Sequence, residues 1–545
     1  MLGTQRFTLG FFLLLIVMPL ALAQSPTTTS VTTRVDVAPS QLLATPVDHN
    51  WLSYNGDYTG RRYSALREIN NANVSQLRAQ WVFHAPNSNH LEVTPVVVDG
   101  MMFATSANDA YALDAQTGRI VWHYSRPITE GLIDDASQHH NRGVALWHNR
   151  VFMETDNAHL LCLDARSGHL LWDVAYTDGN RNYGATSAPL VVKDKVIVGT
   201  SGGDDGVRGF VAAYDGGTGK ESWRFWTIPA PGEFGSSSWP GESYKLGGGT
   251  TWMPGTFDPE LNTIFWGTSN PAPDFDGGPR PGDDLYTDCL LALDPDNGKL
   301  KWYFQFTPHD LFDYDAVETP VLVDAVFKGQ PRKLIVEANR NGFLYVLDRT
   351  DGKFLSARRF SEKLNWANGI DEKGRPIRTE LKPTEQGTRI CPGMVGATNW
   401  HSPAFNPETS LFYFMALESC DIYKLKAQKF VPGQTYYATG ASRSESDRSQ
   451  KILLAYSLDG DKPAWRYVQS GNGHSAAGAM TTAGGLVFFG DDAQSFEAID
   501  ATTGKSLWHF NTGQNISASP MTYAVNSKQF VAIAAGADIF TFTLP

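Results

Sequence analysis

A short phrase recurs along this chain: an apolar strand, an Asp, a turn containing Gly, and a Trp eight residues after the Asp. It reads ALDAQTGRIVW ending at Trp122, CLDARSGHLLW at Trp172, AYDGGTGKESW at Trp223, ALDPDNGKLKW at Trp302 and AIDATTGKSLW at Trp508. Two worn copies keep only part of the phrase. LDRTDGKFLS around Asp348 lacks the Trp, AYSLDGDKPAW at Trp465 lacks the Asp, and QLRAQW ending at Trp81 reads as an N-terminal half-copy. Repetition on this scale fixes the architecture before any single residue does.

Each copy reads as strand, tight turn, strand, with Asp and Gly where the backbone must reverse. One such sheet cannot bury both faces alone. Radial packing buries each sheet against its neighbours and leaves only short, protected edges. The expectation is therefore an all-β fold, an eight-bladed β-propeller with tryptophan-docking repeats. Each Trp is expected to wedge between blades with its indole N–H bonded to a neighbouring turn.

The copies run almost from end to end without a linker, so one large repeat domain is expected over residues 46–545. The intervals between Trp223 and Trp302 and between Asp348 and Trp465 must then carry long inter-strand loops, the usual seat of function. A net charge of −12 with no basic run argues against a nucleic-acid partner. Arg6 precedes the apolar run FFLLLIVMPLALA, and Ala21 and Ala23 are spaced as a small-residue cleavage site before Gln24. This pattern predicts a secretory signal peptide over 1–23, a flexible lead-in over 24–45, and a periplasmic location where disulfides are permitted. Cys391 and Cys420 share one long insertion and are expected to pair, whereas Cys162 and Cys289 lie in apolar strands and read as buried small hydrophobes. No CxxCH occurs, so no attached c-type haem is expected.

Chemistry concentrates outside the repeats. FTPHDLFDYDAVETP carries Asp310, Asp313 and Asp315 close to His309. If Asp313 and Asp315 lie on an extended stretch, they share a face and repel unless a hard, oxygen-liganded cation lies between them. A loop of solvated acids explains the same letters. The Gly-rich GTSGGDDGVRG, GGGTTWMPG with Thr250 and Trp252, and WGTSNPAP with Asn270 occur in successive blades. Glycines allow close backbone approach to a flat ligand, and an indole offers it a stacking face.

From about Trp51 onward the chain resembles the quinoprotein alcohol dehydrogenases that use pyrroloquinoline quinone (PQQ), of the methanol dehydrogenase type. The resemblance rests on LEVTPVVVDG, HNRGVALW, ATSAPLVV, SGGDDGVRGFVAAYD, GGGTTWMPG, WGTSNPAP, TPHDLFDYD, NRNGFLYVLDR, GATNWHSPAFNP and MTTAGGLVFFGD. It implies PQQ and one Ca²⁺ or lanthanide ion as cofactors. Trp252 would form the floor beneath the quinone, with Glu92, Arg142, Thr186, Ser201, Gly202, Gly203, Thr250 and Asn399 around its carboxylates and ring edge. Arg340 would hydrogen-bond the quinone oxygens, and Asn270 and Asp313 would ligate the metal, with Asp313 also the general base. Asp204, where the family usually has Glu and for which Asp205 is an adjacent substitute, and Asp315, as in the lanthanide-dependent branch and also in related sugar dehydrogenases, complete the implied metal set.

The chain departs from the family pattern in having Ala136 and Ser137 where two adjacent cysteines usually stand. His139 or His140 could supply a lid instead, or both could be solvated loop residues. Three functional readings follow. One is a dehydrogenase of primary alcohols that passes electrons to an external acceptor such as a c-type cytochrome, with a homodimer allowed. Another is the same chemistry on a sugar or polyol. The last is a non-catalytic propeller scaffold, which would share the repeat without the cofactor segments.

Overall fold

The computed structural model describes residues 1, 3, 35–133, 139–179, 181–443, 449–471 and 476–545. The signal peptide expected over 1–23 lies, but for Met1 and Gly3, outside the described residues, as do Ala136 and Ser137. Strands dominate throughout. The sequence phrase folds as the last two strands of a four-stranded antiparallel meander: Val96–Val98, Met101–Thr105, Asp109–Asp114 and Ile120–Ser125 are hydrogen-bonded in that order. The inner strands are buried on both faces, while Ile120–Ser125 alternates and buries chiefly Trp122. That contrast is expected where sheets pack face to face and present their outermost strand to solvent.

Among the described residues there are seven sheets of four strands and one of five, all propeller-like meanders. Two departures from simple succession tie the chain together. Arg78–His84 pairs with Asp538–Thr543, so the first repeat's sheet is completed by the C-terminal strands, and Tyr63–Ser64 adds a parallel edge to Ala479–Thr482. Part of the stretch expected as lead-in is anchored to the fold. Val37 exchanges backbone hydrogen bonds with His148, and Val35 and Leu42 are buried.

Several of the tryptophans do what their spacing predicts, whereas the buried Trp172 indole N–H has no hydrogen-bond partner. The Trp122 indole donates to the Ala165 carbonyl at 2.9 Å, Trp223 to Pro295 at 2.8 Å and Trp465 to Ala501 at 3.1 Å, each acceptor lying in the next copy of the phrase. The ring also covers that copy's turn glycine. At Gly168, with φ of +72°, an added Cβ would meet the Trp122 ring at 2.7 Å. The turn therefore needs Gly for both its backbone conformation and the approach of the indole. The phrase's Asp caps the same turn, as Asp114 accepts the N–H groups of Gln116 and Thr117. Burying such a Trp is worth about 3–5 kcal/mol by the usual cost of Trp→Ala in a core.

The two long intervals carry the insertions expected of them. The second contains a two-stranded ribbon, Ala367–Ile370 with Pro376–Arg378, and a three-stranded sheet of Thr388–Ile390, Asp421–Leu425 and Thr439–Arg443. Cys391 and Cys420 are joined in a disulfide at the base of that sheet, and Cys162 and Cys289 are free and buried.

Candidate active site

The non-repetitive segments converge because neighbouring repeats lace their inner turns together through the backbone. Thr251 N–H donates to Thr200, Ser269 to Thr250, Gly249 to Asn270 and Ala316 to Thr268. These bonds bring the Gly-rich turn after Ser201, the GGGTTW segment, the WGTSN segment and the DYD segment to one place. Gly202 is required in this lattice, since at φ of +97° an added Cβ would lie 1.9 Å from the Asn182 carbonyl. The long insertion reaches back over the same region, where Tyr436 N–H donates to the Asp204 carbonyl.

The result is a cavity of about 340 Å³. It is lined by Glu92, Arg142, Thr186, Ser201, Gly203, Asp204, Thr250, Trp252, Asn270, Asp313, Asp315, Arg340 and Asn399, all expected from sequence. Of the expected cavity residues, Gly202 alone does not line it and instead shapes the turn behind. The cavity also contains Ser269, Met394, Trp400 and Tyr437, which sequence reasoning did not single out. Ser269 and Trp400 adjoin the motif residues Asn270 and Asn399, and that adjacency was the available signal. Met394 and Tyr437 sit in the insertion, where no repeat supplies a register.

Two electrostatic groups line this cavity and meet at Trp252. On the acidic side, Arg340 pairs with Asp315 at 2.8 Å and Asp313 at 3.3 Å and donates to the Met394 carbonyl. Burial alone would lower the Arg340 pKa, but the Asp313 and Asp315 carboxylates raise it above the ordinary arginine value. Asp315 is engaged on both oxygens. Its Oδ1 accepts the Asn270 backbone N–H at 2.7 Å, and its Oδ2 accepts the Trp252 indole at 3.0 Å as well as the Arg340 contact.

The extended stretch imagined for Asp313 and Asp315 is not what forms. Asp313 has φ of +63°, and Asp310 holds the turn by accepting the N–H groups of Phe312 and Tyr314. The two carboxylates share the cavity through this turn rather than through strand alternation. Asp204, Asp313 and Asp315 are not among the described triads whose ligand atoms lie within 4.8 Å of one another.

On the other side, Arg142 binds Glu92 at 2.7 Å and the Thr186 hydroxyl at 2.6 Å. Its guanidinium lies 5.1 Å from the Trp252 ring and 4.6 Å from the Trp400 ring, so two indole faces and a planar cation border one slot. Burial would raise the Glu92 pKa, yet Arg142 and the neighbouring histidines bring it down to about 2. His140 lies against Glu92 and lines the cavity, its pKa lowered to about 4 chiefly by burial. His139 is exposed, so the structure separates the two histidines that the sequence left equivalent.

The donor set fits a flat, polyanionic quinone and a hard cation. Ser201 Oγ, Arg142 Nε and Arg340 Nε are buried at the cavity without a protein hydrogen-bond partner, which is costly unless a ligand supplies acceptors. Trp252, fixed by Asp315, presents a stacking surface. Asp204, Asn270, Asp313 and Asp315 offer oxygen donors of the kind hard cations take.

Comparison with known proteins agrees with this chemistry. The family described as "PQQ: Glucose/ethanol/alcohol dehydrogenase, beta-propeller domain" matches residues 51–357 and 461–531. The chain is similar to the quinohemoprotein alcohol dehydrogenase ADH IIB of Pseudomonas putida, 38% identical over 89% of this chain and 73% of that protein. It is likewise similar to the lanthanide-dependent methanol dehydrogenase of Methylacidiphilum fumariolicum, 36% identical over 89% of this chain and 84% of that protein. A europium-containing methanol dehydrogenase structure superposes with a TM-score of 0.84 at 32% identity, covering 91% of this chain and 98% of its own. The chain belongs to the PQQ-dependent glucose/ethanol/alcohol dehydrogenase family and is a quinoprotein oxidoreductase.

Proposed function

We propose that this protein is a periplasmic PQQ- and metal-dependent dehydrogenase that oxidises primary alcohols to aldehydes and passes the electrons to an external acceptor, a c-type cytochrome. The observation that carries the reading is the convergence of Trp252, Arg340, Asp313 and the oxygen donors on one cavity, where Ser201 Oγ, Arg142 Nε and Arg340 Nε are buried without protein partners. The names of the similar proteins favour an alcohol over a sugar. The sheets, in this reading, close as an eight-bladed ring around the cavity.

When bound, PQQ supplies a two-electron quinone couple and the cation supplies Lewis acidity. Trp252 would hold the flat face, while Glu92, Arg142, Thr186, Ser201, Gly203, Thr250 and Asn399 would surround the edge and carboxylates, with Gly202 shaping the turn behind them. Arg340 remains cationic and would donate in a fixed plane to the quinone oxygens. Asp204, Asn270, Asp313 and Asp315 hold one Ca²⁺ or lanthanide ion; Asp315 keeps lone pairs for that role while anchoring Trp252. Asp313 takes the substrate hydroxyl proton onto a carboxylate oxygen, the general-base step. Met394, Trp400 and Tyr437 then limit the space left for the alcohol's carbon chain.

The deciding experiment is reconstitution of the purified protein with PQQ plus either calcium or a light lanthanide, followed by dye-linked assay on alcohols and sugars. Turnover of primary alcohols that requires both PQQ and metal supports the reading. Preference for sugars moves it to the polyol class, and no turnover with any combination removes it.

A further inference from the structure

Outside the acidic cluster, one group of side chains has the composition of a second, chemically different metal site. His90, Glu92 and His140 place a ring nitrogen, a carboxylate oxygen and a ring nitrogen within 4.8 Å of one another. Glu92 Oε1 is 3.4 Å from His90 Nε2 and 3.1 Å from His140 Nδ1. The two rings are 4.9 Å apart and tilted by 42°, so both nitrogens face the same oxygen instead of stacking away from it. In a tetrahedral site with bonds of about 2.0–2.1 Å, neighbouring ligand atoms stand roughly 3.3 Å apart. Two edges of the triangle already match that spacing.

The surroundings favour an ion over a bare hydrogen-bonded cluster. The Glu92 side chain is 5% exposed, whereas His140 and His90 are 18% and 33% exposed. The anionic ligand is thus buried, and the imidazoles are partly exposed to solvent. Glu92 Oε2 lies 2.7 Å from Arg142 in an ion pair, a charge contact on the side of the carboxylate away from the histidines. The donor types also segregate the two sites. The Asp204, Asn270, Asp313 and Asp315 set is all oxygen and suits a hard cation, whereas two imidazoles and one carboxylate suit a borderline transition ion.

We propose that His90, Glu92 and His140 bind one divalent transition-metal ion of the Zn²⁺ or Co²⁺ class at the rim of the cofactor cavity. Through Glu92 this ion shares a residue with the cofactor cavity, so its occupancy is coupled to the setting of Arg142.

Cobalt is the probe, because nitrogen-rich tetrahedral Co²⁺ absorbs visible light far more strongly than the octahedral aqua ion. Untagged full-length protein is first saturated with lanthanum to fill the oxygen site and is then titrated with Co²⁺. The expected result is one equivalent of Co²⁺ giving an intense tetrahedral band that Zn²⁺ displaces. His90→Ala and His140→Ala should each weaken Co²⁺ binding by more than about 100-fold, the upper end of what losing a supporting partner alone costs. Asp313→Asn should leave the band in place, since it alters only the oxygen site. A spectrum that stays octahedral overturns the proposal, as does a band retained in both histidine variants or one abolished by Asp313→Asn. None of these readouts depends on PQQ or turnover, so the rim site can fail while the proposed activity stands, and the reverse.

Discussion

Replacing Asp315 with Ala tests whether this carboxylate is only a charge for the metal or also the anchor of the cofactor floor. The side chain accepts from the Trp252 indole, the Asn270 backbone N–H and Arg340, at 3.0, 2.7 and 2.8 Å. Removing it orphans three donors, each costing about 1–3 kcal/mol when buried. Trp252 is half-buried and recovers part of its loss from water, and Arg340 keeps Asp313. Relief of repulsion between the two carboxylates offsets a further part. The net expectation is a destabilisation of about 3–5 kcal/mol in the protein without metal or PQQ.

The assay is denaturant unfolding of that metal-free protein, read as a lower midpoint at unchanged slope. Trp252→Phe, which deletes the indole donor together with part of the ring's packing, should reproduce a share of the loss. Turnover should fall as well, and more steeply with lanthanum than with calcium, because the trivalent ion gains more from the third carboxylate. A metal-free midpoint that is unchanged or raised in Asp315→Ala would refute the anchoring argument, since pure charge removal should stabilise an acidic cluster.

Asp313→Asn should abolish turnover while PQQ still binds, because the amide retains an oxygen but cannot accept a proton; near-normal turnover with unchanged PQQ fluorescence quenching would sink the base assignment. Cys391→Ser should cost roughly 3.5 kcal/mol from the loop-closure entropy of the 29-residue separation, and a non-reduced digest of the parent protein should yield the joined peptide, with free thiols there contradicting the pairing. Burial raises the Glu154 pKa to about 8 against an opposing hydrogen bond from Tyr176, so the folded state keeps a proton that the unfolded chain releases from about 4.5 upward. Its stabilising contribution is complete below that unfolded value and is lost as pH rises through the folded one. Glu154→Gln should therefore remove about 3 kcal/mol of the stability decline between the unfolded value and neutrality, and a melting profile with the parent's pH slope would count against it.

Much of the fold was legible because its decisive interactions are short in sequence. The Asp that caps a turn lies two or three residues from the N–H groups it accepts, as at Asp114, and the Gly that admits the neighbouring Trp lies in the same turn. A spacing of eight from Asp to Trp thus encodes both the hairpin and the wedge. The cavity residues were legible through the motifs that carry them, and thirteen of the expected residues do line one space. The lead-in boundary was less so, since a Ser/Thr-rich stretch gives no sign that Val35, Val37 and Leu42 beyond it are buried.

What the sequence determined by itself was the repeat, hence the meander sheets and the docking tryptophans, together with the chemical types available to the site. Only the tertiary structure decided how those types meet. Tyr437 reaches the cavity from an insertion that no periodicity positions, and Tyr436 beside it bonds to Asp204, more than two hundred residues away. Arg142 lies against Trp252 and Trp400, residues from separate segments, and Asp315 fastens the indole that the letters alone made a passive floor. The same holds for His140, which the sequence left equivalent to His139 and which packing turns toward Glu92. The physical reason is that hairpins, caps and turns are fixed by bonds between near neighbours along the chain, whereas the cavity is assembled from turns of many repeats. The backbone bonds between those repeats set the distances there, and no local spacing contains them.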